Sequence, residues 1–569
     1  NEDQAIETPA QEYTELNYGG IVYSKTAVAF DYLMAYLGES MMDKCMQEYF
    51  KLWHFKHPQP ADLKAVFENV SGKDLSWFFN DMINSTKKLD YKITSVHHNR
   101  DNTYNIGIKN VGSIKAPVIV QGIKDNKIVG ELVYDGFTGK QSLSFPPANV
   151  DYFKIDYLEV SPDVNRNNNR IKAKGVFKKI EPLKIQFLGS IDNPDKTQLF
   201  WTPVAAWNNY NKWMFGVALY NNLLPQKKFE FELMPLYSHS TNDFSGYAHL
   251  MYNIFPNQTF FQKIAIGGTY SRYAYTNRIY DRNFNKYAPE LFVEFKKSNL
   301  RAKFKSTLRY RNITIIADDY TSVLSGMDID YIETKRKSVF NDLTYLLTKS
   351  DAVQPYSIAL NVQHGGQKNY YTSAIIDEMT KVSVTAKYSY KYSKKNKSFD
   401  ARLFAGTFVG TNKTNAGAYR FRLSGFRGYQ DYMYDNVFLG RTETDGVLAN
   451  QFVENEGAFK FYSPVGQSAE WLVALNLKSS LGNMKLPLCL YADIGTTGAD
   501  GILNEGVLYN AGVCVSIVKN IFEVYFPVLI SKDFENYKKA NGIKYPETIR
   551  FTLNLNMINP FDLIRKFEL

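Results

Sequence analysis

The sequence predicts a mainly β protein in three parts: an N-terminal α-helical segment, a small β-sandwich, and a transmembrane antiparallel β-barrel of about 16 strands. Three observations predict the barrel. Residues 197–556 alternate aromatic or apolar with polar side chains, the period of strands whose two faces meet different surroundings. The chain holds 41 Tyr and 39 Phe against 6 Trp, a composition suited to aromatic girdles at membrane interfaces. Mean hydropathy is −0.33, and no apolar run of about eighteen residues occurs, so a spanning helix is not expected. A barrel is still allowed, because its lumen and loops are polar.

Residues 1–88 read as short helices in series. Ala27, Phe30, Leu33, Met34 and Leu37 recur at helical spacing and predict a helix over 24–37, with Gly38 as its C-cap. A second follows over 39–53, and Pro58 and Pro60 break the chain. A third covers 61–70 and ends near Gly72. A fourth covers 74–83 and offers Leu75, Trp77, Phe78 and Met82 to a core. The chain opens on Asn1 with no visible signal peptide, so we read it as a mature or truncated product.

Residues 89–162 carry short strands separated by turn signals at Asn99-Arg100-Asp101-Asn102, Asp125-Asn126 and Asp135-Gly136, which predicts a β-sandwich. The Asn-rich run from Pro162 to Arg170 has little to bury and opens an expected linker, 163–195. The barrel is expected over 196–569. Its candidate strands include 213–220, 228–236, 263–270, 291–297, 302–311, 382–392, 399–408, 458–462, 471–479, 486–493, 507–517, 522–530 and 549–556. Tight turns such as Leu224-Pro225-Gln226 alternate with longer connections such as 318–335, as in barrels with short inner turns and long outer loops. A soluble open sheet is the alternative, but so many strands would leave exposed edges that closure removes. An even strand number would put both barrel ends in one compartment.

The net charge of +10 could suit an anionic partner, but it is scattered with no basic stripe and reads as loop, turn and lumen charge, so nucleic acid is not expected; the expected partner, lipid, follows from the barrel. Cys45, Cys489 and Cys514 do not form a disulfide framework; the latter two sit on candidate strands, as neighbours or as small apolar fillers.

The chain's organising stretch is Arg420-Phe421-Arg422-Leu423-Ser424-Gly425-Phe426-Arg427-Gly428-Tyr429, read with the strand Tyr491-Ala492-Asp493-Ile494-Gly495. A guanidinium drawn into a confined lumen must meet a carboxylate, or its burial is prohibitively costly. Arg427 is therefore expected to pair with Asp493, and Gly428 to let the loop turn tightly past the wall. An Arg in an ordinary Gly-rich turn is the alternative. These two stretches, with Tyr509-Asn510-Ala511-Gly512-Val513 and the last strand, resemble the barrels of outer-membrane assembly factors and two-partner secretion transporters. In that superfamily an Arg-Gly-aromatic loop tip is received by such an Asp. The resemblance implies a bacterial outer-membrane barrel, with an unfolded outer-membrane protein or a peptide as substrate. One departure is that the chain runs on past the last strand through Met557 to Leu569.

A second resemblance lies near the N-terminus. Ile21-Val22-Tyr23-Ser24-Lys25-Thr26-Ala27 and Glu68-Asn69-Val70-Ser71-Gly72-Lys73-Asp74-Leu75-Ser76-Trp77-Phe78-Phe79 are similar to the end of the catalytic domain in gluzincin zinc aminopeptidases of the alanyl-aminopeptidase type. By that resemblance Tyr23 stands where a phenol steadies the oxyanion beside zinc. An ordinary tyrosine at a helix start is the alternative. Such an enzyme needs His-Glu-x-x-His and a further glutamate. None of the seven histidines forms that motif, so zinc is expected in a longer parent protein and none in this chain. The resemblances imply an outer-membrane-anchored aminopeptidase-like protein with its soluble part in the periplasm. The alternative they leave open is an insertion or translocation barrel with a non-catalytic peptidase-like module; a porin-like scaffold is a third reading.

Overall fold

The computed structural model describes residues 3–561 apart from 222–223, 257–258, 300, 326–327, 394–396, 411–415, 482–486 and 499–505. It divides into two units. The first runs to Lys184 and takes in 191–198; the second holds 185–190 and the chain from 199 onward.

In the first unit the helices Thr26–Leu37, Glu39–Trp53 and Pro60–Ser71 lie where apolar spacing places them, with a π-helical stretch Tyr18–Lys25 before and another, Trp77–Ile83, after. Gly38 closes the first by donating its N–H to Met34 O, and Pro60 opens the third, where its missing N–H costs nothing. Leu33, Phe67, Leu75 and Phe78 are fully buried and share one core with the strands that follow. Those strands are β1 (Tyr91–His98), β2 (Tyr104–Asn110), β3 (Val118–Lys124), β4 (Lys127–Tyr134), β5 (Lys140–Phe145), β6 (Tyr152–Ile155) and β7 (Arg170–Lys172). They form two sheets, ordered β1-β2-β5 and β4-β3-β6-β7.

The Asn-rich run expected to open a linker is instead packed into this unit. Buried Asp163 accepts from the N–H groups of Tyr91 and Asn165, at 3.0 and 2.8 Å, and Asn169 is 1% exposed. Polar side chains here supply partners that a regular strand would find in its neighbours. Burial lifts the Asp163 carboxyl above its usual range, aided by Asp90, although these hydrogen bonds oppose the shift.

The second unit is a closed barrel. Its strands are β8 (Leu183–Phe187), β9 (Thr197–Asn208), β10 (Lys212–Tyr220), β11 (Phe229–Ser238), β12 (Asp243–Ile254), β13 (Phe261–Thr276), β14 (Arg282–Phe295), β15 (Phe304–Ser325), β16 (Asp328–Lys349), β17 (Tyr356–Asn369), β18 (Met379–Lys391) and β19 (Ser398–Phe408). A small pair follows, β20 (Phe421–Arg422) with β21 (Gln467–Ser468), and then β22 (Trp471–Ser480), β23 (Leu488–Thr497), β24 (Leu508–Val518), β25 (Phe522–Ile530) and β26 (Arg550–Leu553). From β9 to β26, leaving out the β20–β21 pair, each wall strand runs antiparallel to the next. β8 closes the ring between β26 and β9, which makes seventeen strands.

The additional strand, β8, falls inside the expected linker; its five residues are too few to show a clear period. An odd ring withdraws the parity argument for the barrel ends. Two further expectations are corrected. Residues 318–325 and 328–335 are not loop but extensions of β15 and β16, whose register runs from Phe304↔Lys349 to Ser325↔Asp328. Residues 458–462 are not a wall strand but part of the segment between β19 and β22.

Alternation sorts the wall. On β23, Tyr491 and Asp493 are buried while Leu490 and Ile494, which flank them, are 48% and 46% exposed. On β18, Lys381 is buried and Val382 exposed. Exposed Trp213, Phe215, Phe244, Ile266, Leu360 and Leu529 continue the outer face. In water this would be an apolar patch around the whole ring; its proper solvent is lipid. Among the described residues no helix is long and apolar enough to cross a membrane.

Candidate functional site in the barrel lumen

The segment 416–470, between β19 and β22, folds into the lumen. Its contacts follow the ring: Tyr210 and Thr442 share a hydroxyl hydrogen bond of 2.9 Å, Lys286 and Arg311 bind Asp435, and the Tyr432 hydroxyl donates to Gln363 at 2.7 Å. Lys381 binds Glu456, Lys460 binds Asp493, and Arg550 donates to Ser424 O at 2.6 Å. A segment that touches strands from β14 to β26 lies inside them.

Two glycines permit this path. Gly425 sits at φ +63°, where a side chain is strained. Gly428 passes so close to Arg441 that a Cβ would stand 2.4 Å from its carbonyl oxygen.

Buried charge ties the segment to the wall. Asp493 Oδ1 accepts from Lys460 Nζ at 3.1 Å and Asn476 Nδ2 at 2.8 Å, and Oδ2 accepts from the Lys460 N–H at 3.1 Å. The Lys381 ammonium meets Glu456 at 2.9 Å and lies 4.4 Å from the centre of the Phe421 ring. Glu456 also accepts the Arg422 N–H at 2.7 Å. Arg311 bridges wall and segment, donating to Asp342 and to both carboxylate oxygens of Asp435. Each of these ions is paired and its other hydrogen-bonding positions are largely filled, the condition under which ions are tolerated away from water.

The expected pairing of Arg427 with Asp493 is not what the lumen contains. Asp493 takes Lys460. Arg427 lays its guanidinium over the Tyr462 ring, 3.4 Å from its centre, and reaches Asn450 Oδ1 at 3.4 Å. Stacking on an aromatic face gives the guanidinium a partner without a carboxylate, which is why the expectation that it must meet an acid fails. Tyr429 and Tyr462 hydroxyls share a hydrogen bond of 2.6 Å. Arg550, 0% exposed, stacks 4.1 Å from the Phe452 ring centre and donates to Phe459 O at 3.0 Å. Sequence reasoning missed Lys460, Glu456 and Arg550. The signal for Lys460 was a lone cation in Ala458-Phe459-Lys460-Phe461-Tyr462, read there as strand alternation.

Cys489 and Cys514 face each other in register across β23 and β24, with Cα atoms 5.0 Å apart, and form a disulfide rather than serving as separate fillers. In the first unit Tyr23 is 64% exposed on the π-helical stretch, edge-on to Tyr18. Among the described residues no group of three or more His, Cys, Asp or Glu could hold a metal ion. His54 Nδ1 lies 3.0 Å from Phe50 O at a helix end. The described residues do not fit a zinc centre.

No protein-family profile matches the chain. Over 60 residues it is 40% identical to aminopeptidase N of Streptomyces lividans, a match covering 10% of this chain and 7% of that protein. Among solved structures, Legionella pneumophila aminopeptidase A in complex with aspartic acid aligns with 28% of this chain and 19% of its own, at 18% identity and a TM-score of 0.24. BamA from Haemophilus ducreyi lacking POTRA domains 1–3 aligns with 61% of this chain and 71% of its own, at 9% identity and a TM-score of 0.33. The chain thus spans a small fraction of the aminopeptidases it matches.

Proposed function

We propose that this chain is an insertion or translocation barrel of the bacterial outer membrane, with the first unit a non-catalytic, peptidase-like module in the periplasm. The observation that carries the reading is the last strand. β26 is four residues long, and it pairs with β25 only over Phe522–Tyr525. Its Phe551 also hydrogen-bonds the lumen segment, donating to Asn450 O at 3.2 Å and accepting from the Phe452 N–H at 3.0 Å. The last wall strand in chain order is thus held partly by a plug. Displacing that plug frees backbone donors and acceptors at a strand edge, the surface to which an incoming strand adds. The substrate is an unfolded outer-membrane protein or an extended peptide.

The test locks the plug. Cysteines placed as Gln451→Cys and Phe551→Cys, which bridge in the native fold, are joined by a short bis-maleimide. Cross-linking should abolish assembly of an unfolded outer-membrane barrel into proteoliposomes, while the unlinked double variant works. Equal activity of the linked and unlinked proteins removes the reading.

The 60-residue likeness to an aminopeptidase favours a second reading, a membrane-tethered metallopeptidase whose zinc residues lie outside this chain. Chelator-sensitive aminopeptidase activity of the longer protein would support it, and its absence would leave the first reading alone.

A further inference from the structure

Between the lumen segment and the wall strands β16–β19, β22, β25 and β26 lies a cavity of about 670 Å³. Seven cationic side chains line it against three carboxylates, Asp400, Glu454 and Glu523. All three are engaged. Asp400 takes Lys519 at 3.2 Å and Glu523 takes Lys478 at 2.8 Å. Glu454 faces Lys460 at 3.6 Å.

Of the four cations that remain, Lys349 lies 3.9 Å from Asp351 and Lys391 is exposed at the end of β18. The other two, Lys387 and Arg402, stand directly opposite each other on β18 and β19 with both side chains on the lumen face. Like charges at such a position repel. Neither has a carboxylate within ion-pair distance among the described residues, and Glu454, already facing Lys460, acts on both only at longer range. Arg402 is 8% exposed, and its Nη1 donates only to neutral oxygens, Glu456 O at 2.7 Å and Asn476 Oδ1 at 2.9 Å. Its Nε is buried with no hydrogen-bond partner. Lys387 is open to the cavity.

We propose that Lys387 and Arg402 form an anion site for a phosphomonoester. The planar edge of the guanidinium offers directed donors to an oxyanion, and the ammonium adds a second charge that suits a dianion. The cavity is larger than a phosphate and is also lined by Tyr356, Val437 and Phe452, so the ligand carries an organic body. The phosphomonoester comes from a soluble metabolite or from a lipid headgroup. The site stands whatever the barrel transports.

The full chain in neutral detergent micelles is titrated with glycerol 3-phosphate by calorimetry, alone and in micelles doped with phosphatidic acid. Saturable binding is expected. Lys387→Gln, which removes a side chain that makes no structural hydrogen bond, weakens it about tenfold, the loss of one charge-assisted contact. Lys539→Gln on a surface helix leaves it unchanged. Competition by phosphatidic acid assigns the headgroup, and its absence assigns the soluble ligand. No saturable binding of either probe, or equal binding by Lys387→Gln, overturns the proposal.

Discussion

Lys460 and Asp493 lie 3.1 Å apart with side chains 3% and 0% exposed, so the lumen segment is pinned to β23 by an ion pair that water does not reach. Removing one partner strands the other charge. Lys460→Met should lower the barrel's stability by about 3–5 kcal/mol, whereas the double change Lys460→Met with Asp493→Leu should recover most of the loss. Heat-dependent mobility of the folded barrel on a gel reads both. A double variant no better than the single would show that the pair does not govern the anchor.

Arg427 contributes through its ring contact. Arg427→Ala should cost about 0.5–2 kcal/mol, the range for a guanidinium on an aromatic face, and Tyr462→Leu should cost at least as much because the Tyr429 hydroxyl also loses its partner. In a double-mutant cycle Arg427 should couple to Tyr462 and not to Asp493. Coupling to Asp493 would overturn the assignment.

Gly428 is a position of close approach. Gly428→Ala puts a methyl against the Arg441 backbone, and the loop must shift at a cost of about 1–3 kcal/mol. Faster trypsin cleavage within 416–470, with the barrel otherwise intact, is the readout.

The outer wall tolerates no charge. Ile494→Arg, on the lipid face between strands of the ring, should destabilise by about 2–4 kcal/mol. The same change at exposed Tyr371, beyond the end of β17, should do little. Equal effects at the two sites would contradict the lipid-facing assignment of β23.

The first unit has an acid-sensitive tie. Burial works against ionisation of Asp3, but hydrogen bonds from Lys25 and Lys88 outweigh it and hold the carboxyl below its ordinary range. A lowered acid contributes stability above its unfolded-state value, and that stability is lost as pH falls through the folded value. Hydrogen-exchange protection in peptides covering 3–30, taken relative to the intrinsic rate at each pH, should therefore fall at acid pH, and Asp3→Asn should flatten the profile. An unchanged profile in the variant would place the acid sensitivity elsewhere.

Sequence period read most of the architecture, because a strand with lipid on one side and polar lumen on the other must alternate. The helices over 24–83 were legible for the matching reason: each turns an apolar face to one core, where Leu33, Phe67 and Phe78 are buried. The period misled at 458–462, where alternating Phe and Lys pack inside a plug instead of across a wall. At 318–335 charged residues hid two strands that continue beyond any apolar environment. The loop tip was located by its glycines and aromatics, but its partner was not. A guanidinium can be satisfied by a π-face as well as by an acid, and local spacing does not say which one lies across a folded chain.

β15 and β16 are each 22 residues long, about twice what a tilted strand needs to cross a bilayer at ~3.3 Å per residue. Beyond Ala317 on β15 and Arg336 on β16 the two strands pair only with each other, so the surplus continues as a two-stranded ribbon past its neighbours in the ring. A ribbon that only its own two strands hold can take an insertion at its tip without breaking the ring, which makes it the natural place for an epitope tag or a fluorescent label.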